Sequence, residues 1–355
     1  MQVVTSDFVS GKKVLLRYDI DVPVEDGKVT EDFRLKAGLP TLKLCLEHAK
    51  ETIIFGHIGR PASTSVGLGG SEGEDPDFSV APVYEWFKDN GFQEELNSKK
   101  LRLLENLRFE TGEDEASLDY AKQLASFGEV FVMEAFAAHH PAASTTVLPT
   151  LLPHRAGSNF LKEVEKLREV RENPKKPLVV IIGGVKIEDK LPAIEAMSKK
   201  ADHVLVGGKI ASEITTYDAI AHQVVMVASL TEDGLDISRA TVDSWVRIIR
   251  TAGTILWNGP LGKVDNGGTQ SSTGTLPGTV YSEDELGSEK GSFLIAQAIL
   301  QSKAEVILGG GDTIAAANKW GLLEQFEAKS FVSTGGGAML KLLETGTLPT
   351  IEALS

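Results

Sequence analysis

Short apolar runs alternate with segments of helical periodicity along the whole chain. This alternation is typical of parallel α/β sheets, in which buried strands are connected by helices. The predicted strands of the first half are 14–16, 52–55, 101–104 and 130–133, and those of the second half are 178–182, 203–206, 254–257, 305–308 and 330–332. The chain is therefore predicted to belong to the α/β class.

In the first half, the predicted strands are followed by charged and imidazole side chains. These are Asp19, Asp21, His57, Arg60, Arg108, His139 and His140. Ligands of open α/β sheets bind outside the carboxyl ends of the strands. We therefore expect these side chains to converge on one site.

In the second half, each predicted strand is followed by a turn that contains glycine. These turns are 183–184, 207–208, 259–262, 309–311 and 335–337. The last two place three glycines between a strand and the start of a helix. Glycine lets the backbone approach a ligand closely, and a helix N-terminus offers unpaired N–H groups. The two turns predict a polyphosphate site, although glycine turns also end many ordinary parallel strands.

Asp312 and Thr313 directly follow the first triple-glycine turn. A carboxylate suits Mg²⁺, which is usually held by one or two carboxylates together with phosphate oxygens. Lys186 and Lys190 follow the glycines at 183–184 with a spacing of four residues. This spacing predicts that both lie on one face at the start of a helix and point towards the strand ends. A phosphate-binding role is favoured, and solvated surface lysines are the alternative.

Several nucleotide-binding classes do not fit the glycine motifs. The segment 309–314 lacks the third glycine of the dinucleotide-binding pattern and lies near the end of its predicted domain. The chain contains neither a P-loop motif nor a protein-kinase catalytic loop.

Length and composition add bounds to this picture. With 355 residues, two domains are expected, and the charged amphipathic helix at 159–173, closed by prolines, is the predicted connector. Segments 62–77 and 266–291 are expected to be irregular. A net charge of −14 argues against nucleic-acid or anionic-membrane partners. Cys45 is the only cysteine and is expected to be a buried, inert thiol. Without a leader or a long apolar stretch, a cytoplasmic protein is expected.

The motifs resemble, in order and over essentially the whole chain, those of the phosphoglycerate kinase family. In the first half they are Leu16-Arg-Tyr-Asp-Ile-Asp-Val-Pro23, Asp32-Phe-Arg-Leu35, Gly56-His-Ile-Gly-Arg-Pro61 and Leu104-Glu-Asn-Leu-Arg-Phe109. In the second half they are Ile182-Gly-Gly-Val-Lys-Ile-Glu-Asp-Lys190, Ile255-Leu-Trp-Asn-Gly-Pro-Leu-Gly262, Gly309-Gly-Gly-Asp-Thr313 and Val332-Ser-Thr-Gly-Gly-Gly-Ala338. Such an ordered set is far more specific than any single motif.

The resemblance implies an α/β fold of two Rossmann-like domains with parallel sheets, joined by a connecting helix and a hinge. It implies an N-terminal 3-phosphoglycerate-binding domain at 1–156, the interdomain helix at 157–174, a C-terminal nucleotide-binding domain at 175–340, and a segment at 341–355 that can return to the first domain. Because the two substrates are expected on different domains, domain closure is expected during the cycle.

Site roles carried over from the family fall into two groups. The residues implied to bind the acceptor are Asp19, Asp21, Arg34, His57, Arg60, Arg108 and His140. Nucleotide binding falls to Gly184, Lys186, Lys190, Gly207, Asn258, Asp265, Gly309, Gly310, Gly311, Asp312, Thr313, Gly335 and Gly336. The implied catalytic residues are Arg34, Lys186, Gly311 and Gly336, and Asp312 is the implied ligand of Mg²⁺.

The chain departs from the family pattern at a few positions. Asp21 stands where the family has an asparagine, and Pro141 stands where it has a substrate-binding arginine. Met133-Glu134 replaces Asn-Asp, and Asp265 replaces a glutamate near the nucleotide sugar. These changes bear on acceptor affinity more than on nucleotide binding.

The predicted activity is that of a phosphoglycerate kinase, a Mg-dependent transfer between 1,3-bisphosphoglycerate with ADP and 3-phosphoglycerate with ATP in glycolysis. The acceptor carboxylate is already ionised at neutral pH, so no general base is required. Two alternatives stay open: a phosphotransferase of the same fold that acts on a different small carboxylic acid, and a non-catalytic nucleotide-binding relative. A monomer with only small-molecule partners is expected.

Overall fold

The computed structural model describes residues 1–61, 76–214, 223–262, 264 and 291–355. Within them, two compact units are distinguished, one formed by Met1–Glu165 with Thr347–Ser355 and the other by Lys166–Gly346. The segments expected to be irregular at 62–77 and 266–291 lie almost wholly outside the described residues, and so does Asp265.

The first unit is built on a parallel sheet of five strands. In chain order these are β1 (Lys13–Arg17), β4 (Glu51–Phe55), β5 (Leu101–Leu103), β6 (Val130–Met133) and β7 (His154–Ala156), and a short antiparallel hairpin adds β2 (Val24–Glu25) and β3 (Lys28–Val29). The strand order is β5-β4-β1-β6-β7, and Leu15 of the central strand lies opposite both Ile53 and Phe131. The central strands are buried, as expected where helices cover both faces of a sheet.

The helices of the first unit are short. They are α1 (Ser6–Val9), α2 (Phe33–Ala37), α3 (Leu39–His48), α4 (Ala81–Phe87), α5 (Gln93–Asn97), α6 (Thr111–Asp114), α7 (Leu118–Ala125) and α8 (Leu148–Leu151). Two 3-10 turns, Pro76–Phe78 and Leu107–Phe109, and two π-helical turns, Lys88–Phe92 and Ala143–Val147, complete the set. Cys45 is buried in α3, as predicted, and burial raises the pKa of its thiol to about 12.

The second unit has a parallel sheet of six strands. These are β8 (Leu178–Ile182), β9 (His203–Val206), β10 (Val225–Val227), β11 (Thr254–Asn258), β12 (Glu305–Gly309) and β13 (Phe331–Ser333), in the order β10-β9-β8-β11-β12-β13. The helix α9 (Ser158–Glu172) precedes β8 and runs through the boundary between the units.

The remaining helices follow the strands of the second sheet. They are α10 (Leu191–Ser198), α11 (Ile210–Glu213), α12 (Arg239–Thr251), α13 (Gly291–Gln301), α14 (Gly311–Lys319), α15 (Leu323–Lys329), α16 (Gly336–Thr345) and, in the C-terminal segment of the first unit, α17 (Pro349–Ala353). Among the described residues, no helix combines the length and the apolar content needed to cross a bilayer.

The predicted α/β class is confirmed, and every predicted strand forms within one residue of its expected bounds. The hairpin and the strands β7 and β10 were not predicted from the sequence. Both β7 and β10 have three residues and lie at an edge of their sheet. An edge strand pairs on one side only and can be polar, and β7, with the sequence His-Arg-Ala, lacks the continuous apolar run that identified the central strands. The strand β10 has the apolar sequence Val-Met-Val but is short.

Candidate functional site

A cavity of about 270 Å³ opens at the carboxyl ends of the strands of the first sheet. It brings together several predicted acceptor residues: Asp21, His57, Arg60, Arg108 and His140. It is also lined by Arg17 and Glu113, which were not predicted as site residues from the sequence. Their only local signals were a charge at the last position of a buried strand and an acid two residues into α6. The convergence predicted from parallel topology is therefore observed for these residues, whereas Asp19 does not line the cavity.

Arg34 lies beside this cavity at the start of α2. Its Nη1 donates to the carbonyl of Asp21 at 2.6 Å and lies 3.5 Å from the carboxylate Oδ2 of the same residue. The same nitrogen lies 3.8 Å from Asp19 Oδ1. Burial lowers the pKa of Arg34, but the charges of Asp19 and Asp21 more than offset this, so that the pKa lies above its ordinary value. Arg34 is a permanently charged group at this position.

Asp19 and Asp21 occupy different environments. Asp19 is buried, and burial raises the pKa of its carboxyl although Arg34 opposes the shift. Its Oδ2 is buried without a hydrogen-bond partner among the described residues. Asp21 instead accepts from the Gly59 amide at 2.9 Å. The negative charge that Asp21 adds relative to the family is therefore paired.

Arg108 and Arg60 differ in how tightly they are held. Asn106 follows β5 by three residues and caps the turn that carries Arg108, accepting from the Arg108 amide at 3.1 Å. The Arg108 side chain donates to the carbonyl of Gly59 at 2.7 Å and to Asp114 at 3.2 Å. Arg60 is exposed at the rim. Arg108 is thus fixed in orientation, and Arg60 offers an exposed guanidinium.

His139 and His140 stand on the loop that follows β6. Their ring centroids lie 4.1 Å apart with the planes tilted by 37°. His139 Nδ1 lies 2.9 Å from the carbonyl of Ala137, and Pro141 is exposed beside them. Both histidines and Pro141 line the cavity, where the family pattern has an arginine.

The predicted glycine turns follow β8, β9, β11, β12 and β13 at the carboxyl edge of the second sheet. Two pairs of these turns pack backbone against backbone. A Cβ at Gly336 would lie 2.3 Å from Gly310 Cα, and one at Gly259 would lie 2.2 Å from the carbonyl oxygen of Gly183. Since α14 begins at Gly311 and α16 at Gly336, this packing brings two helix N-termini next to each other. Such an arrangement can hold a polyanion.

Polar side chains join these turns. Lys190 Nζ donates to Asn258 Oδ1 at 2.8 Å, and Asn258 Nδ2 donates to the carbonyl of Gly336 at 3.1 Å. Thr313 is buried, and its hydroxyl accepts from the Gly259 amide at 2.7 Å. Burial lowers the pKa of Lys190, although Asp312 acts in the opposite direction. Thr313 therefore ties two turns together, and Lys190 lies within electrostatic reach of Asp312.

The prediction that Lys186 and Lys190 share a helical face is wrong. The helix α10 begins only at Leu191, and residues 183–190 form a loop that ends in a turn. Pro192 sets this start, because proline has no N–H for a helix that began earlier and is tolerated in the first turn. Lys186 is exposed, while Lys190 is half-buried. The two lysines therefore differ in exposure and do not lie side by side on one helix.

The remaining predicted nucleotide residues lie at the same carboxyl edge. Gly184 follows β8 with a φ of +120°, Gly207 follows β9, Gly309 ends β12, and Gly335 precedes α16.

At the carboxyl edge of the second sheet, Asp312 is the side chain that could bind a magnesium ion. The described part of the chain contains no group of three or more His, Cys, Asp or Glu side chains that could hold a metal. Asp312 is an exposed carboxylate in the first turn of α14. Because Mg²⁺ usually takes one or two protein carboxylates and completes its shell with phosphate oxygens and water, this single side chain is a suitable ligand.

Comparison with known proteins gives a consistent result. The family model of phosphoglycerate kinase matches residues 4–232 and 212–346. The phosphoglycerate kinase of Leptospira biflexa serovar Patoc is 32% identical over 411 aligned positions, which cover 98% of this chain and 96% of the relative.

Solved structures resemble the chain over nearly its full length. The phosphoglycerate kinase of Coxiella burnetii has a TM-score of 0.73 at 30% identity and covers 98% of this chain and 96% of its own. That of Pyrococcus horikoshii OT3 has a TM-score of 0.78 at 24% identity, with 100% and 98% covered, and supports the fold alone. The chain therefore belongs to the phosphoglycerate kinase family, whose members are phosphotransferases.

Proposed function

We propose that this enzyme transfers a phosphoryl group between 1,3-bisphosphoglycerate with ADP and 3-phosphoglycerate with ATP, as a Mg-dependent step of glycolysis. The observation that carries the proposal is the cavity at the first sheet, where His57, Arg60 and Arg108 converge. A site of this charge suits a small anionic acid. In this proposal the first unit binds the acceptor and the second binds the nucleotide.

On the acceptor side, the residues bind and orient an anion. Arg108 is held by Gly59 and Asp114, so its guanidinium is preorganised. Arg34 supplies a permanent positive charge near the transferred phosphoryl group. The acceptor oxygen belongs to an ionised carboxylate, so no residue has to remove a proton. Positioning and charge neutralisation are then the main tasks of the protein.

On the nucleotide side, the amides at the starts of α14 and α16, including Gly311 and Gly336, would receive the phosphate oxygens. Lys186 and Lys190 would add positive charge to the same phosphates. Asp312 would hold Mg²⁺, which neutralises phosphate charge when bound.

A second candidate function follows from the loop after β6. Pro141 lines the cavity where the family pattern has a substrate-binding arginine. Loss of a charge-assisted hydrogen bond lowers affinity for a phosphorylated acceptor. The alternative is therefore a phosphotransferase of the same fold that acts on a different small carboxylic acid. A non-catalytic nucleotide-binding protein is disfavoured because Arg34, Lys186 and Asp312 are all retained.

A coupled assay with 3-phosphoglycerate and Mg-ATP tests the proposal. We expect turnover that is lost without Mg²⁺ and strongly reduced in Arg34→Ala. Lys36→Ala is the matched control, because Lys36 is an exposed cation two positions along the same helix. Turnover of other small carboxylic acids without turnover of 3-phosphoglycerate would favour the second candidate. Nucleotide binding without any turnover would favour a non-catalytic role.

We also propose that the protein is a monomer and that it is located in the cytoplasm. Light scattering after size-exclusion chromatography measures the molar mass in solution, and a value near 38.1 kDa is expected for a monomer. Fractionation of the source cells tests the cytoplasmic location.

A further inference from the structure

Arg17 is a fully buried arginine at the floor of the acceptor cavity, 1% exposed at the last position of β1. Three contacts fix its guanidinium. Nε donates to Ser144 Oγ at 2.9 Å, Nη1 donates to the carbonyl of Tyr18 at 3.0 Å, and Nη2 lies 2.7 Å from His57 Nδ1. A guanidinium has five N–H donors and no acceptor. Each contact therefore defines the role of its partner.

The charge of Arg17 is offset by Glu113, which reaches it through Ser144. The Ser144 hydroxyl and amide both donate to the Glu113 carboxylate, the amide at 3.0 Å. Because the hydroxyl has one hydrogen and gives it to Glu113, its oxygen is left to accept from Arg17. Glu113 is 2% exposed, so this charge pair is buried. A buried pair with satisfied hydrogen bonds holds its members in one geometry.

His57 must accept the hydrogen bond from Arg17 through Nδ1. Neutral imidazole has one nitrogen that accepts and one that donates, so its proton then lies on Nε2. Protonation of Nδ1 would set an N–H group against the Arg17 donor. We propose that Arg17 is a positioning residue that holds His57 as the neutral Nε2–H tautomer, so that the ring presents an uncharged N–H donor in the acceptor cavity.

The positive charges around His57 also favour its neutral form. Burial lowers the pKa of His57 well below its ordinary value, and Arg17, Arg108, Arg34 and Arg60 lower it further. These arginines come from β1, the turn after β5, α2 and the loop of His57 itself. The acids that line the same cavity are Asp21, Glu113 and Asp114. Each of the three accepts hydrogen bonds from other groups: the Gly59 amide, Ser144 and Arg108 respectively.

This assignment deepens the proposed function. If 3-phosphoglycerate occupies the cavity, the contribution of His57 to its binding is a hydrogen bond that does not titrate near neutral pH. The tautomer itself does not depend on the identity of the acceptor. A different acceptor would therefore leave the tautomer of His57 unchanged.

The test is long-range ¹H–¹⁵N correlation spectroscopy of the protein labelled at its seven histidines, with His57→Gln used to assign the signal. In the wild type, we expect the pattern of the Nε2–H tautomer for His57, without titration between about pH 5.5 and 8. In Arg17→Met/Glu113→Gln, which removes both buried charges, the pKa of His57 should rise towards its reference value of about 6.5.

Arg60→Met is the matched control, because it removes a nearby positive charge that is exposed and leaves the Arg17 contact in place. It should shift the pKa of His57 less than the double variant and leave the tautomer unchanged. A wild-type His57 in the Nδ1–H form, or one that titrates near 6.5, overturns the proposal even if the double variant does not fold. An unchanged His57 signal in a folded double variant also overturns it.

Steady-state kinetics separates positioning from a purely structural role. In the double variant, KM for 3-phosphoglycerate should gain a pH dependence between about 5.5 and 7.5 relative to the wild type. A uniform rise in KM at every pH would indicate only structural damage and would contradict the positioning role. An enzyme that never uses 3-phosphoglycerate would overturn the proposed function, while the spectroscopic result would still decide the tautomer.

Discussion

Replacement of Gly336 by alanine tests whether the two triple-glycine turns form one anion site. The added Cβ would lie 2.3 Å from Gly310 Cα, 2.7 Å from Gly310 N and 3.0 Å from Asn258 Nδ2. Two of these atoms are backbone, so a change of rotamer cannot relieve the contact. The Asn258 side chain is held as well, because its Nδ2 donates to the carbonyl of Gly336 and its Oδ1 accepts from Lys190.

The magnitude follows from these distances. Carbon atoms in contact normally lie about 3.5–4.0 Å apart, so the two turns must separate by more than about 1 Å. Overpacking of this kind costs about 1–3 kcal/mol of the free energy of unfolding. For a unit of this size, each kcal/mol lowers Tm by about 2–4 °C, which gives an expected loss of about 2–12 °C. A misplacement of about 1 Å at a site of phosphoryl transfer can also lower turnover about 10²-fold.

Calorimetry of the full chain measures Tm, and titration with Mg-ADP together with the coupled assay measures the site. Gly337→Ala is the matched control for Tm, because Gly337 is the next residue of α16 and is exposed. Alanine is favoured over glycine inside a helix by about 0.5–1 kcal/mol, so the control should keep or raise Tm. Wild-type Tm, nucleotide affinity and turnover in Gly336→Ala would refute the reasoning.

Four further predictions concern single side chains. Asp312→Ala should remove most of the gain in ATP affinity that Mg²⁺ provides, because the metal loses its carboxylate; an unchanged gain in calorimetric titrations would contradict the assignment. Arg34→Ala should lower kcat by about 10²-fold, with kcat/KM falling in parallel, whereas a normal kcat with a raised KM would show that Arg34 only binds. Burial raises the pKa of the Glu134 carboxyl from 4.5 to about 8. Between these pH values the carboxyl is protonated in the folded chain and ionised in the unfolded chain. Its contribution should therefore lower the free energy of unfolding as pH rises from 4.5 to about 8. Glu134→Gln should flatten that slope in thermal melts, and parallel curves for the two proteins would exclude the effect. Pro141→Arg should lower KM for 3-phosphoglycerate in steady-state kinetics by restoring a cation, and an unchanged KM would place this loop outside the acceptor site.

The fold could be predicted because its central strands are long, apolar and buried. Strands such as β8 and β6 have continuous apolar sequences, and burial on both faces requires such runs. The edge strand β7 has the sequence His-Arg-Ala and was missed, because a short polar segment carries no periodic signal. The helix expected before Leu191 was also wrong, since one proline outweighed the spacing of two lysines.

The composition of the site could be predicted from topology, but its detailed chemistry could not. Parallel strands share one carboxyl edge, so residues that follow different strands, such as His57 and Arg108, meet in space. The contacts of Thr313 could not be predicted in this way. It follows the triple glycine as expected, yet its hydroxyl is buried and accepts from the Gly259 amide. Sequence position placed the residue correctly without showing which group it contacts.

Because charges that are distant in the sequence pair in the structure, the charge that the cavity presents to a ligand cannot be read from the sequence. In the sequence, Asp21 is an added negative charge that should weaken the binding of an anion. In the structure, its carboxylate Oδ1 accepts from the Gly59 amide and its Oδ2 lies 3.5 Å from Arg34 Nη1, so part of that charge is offset within the protein. Arg17 likewise adds a positive charge that Glu113 offsets. Arg108 is bonded to Asp114 in the same way. The charge that the cavity presents to a ligand therefore comes mainly from the exposed Arg60, and we expect acceptor selectivity to depend on this arginine more than on the total charge of the loops.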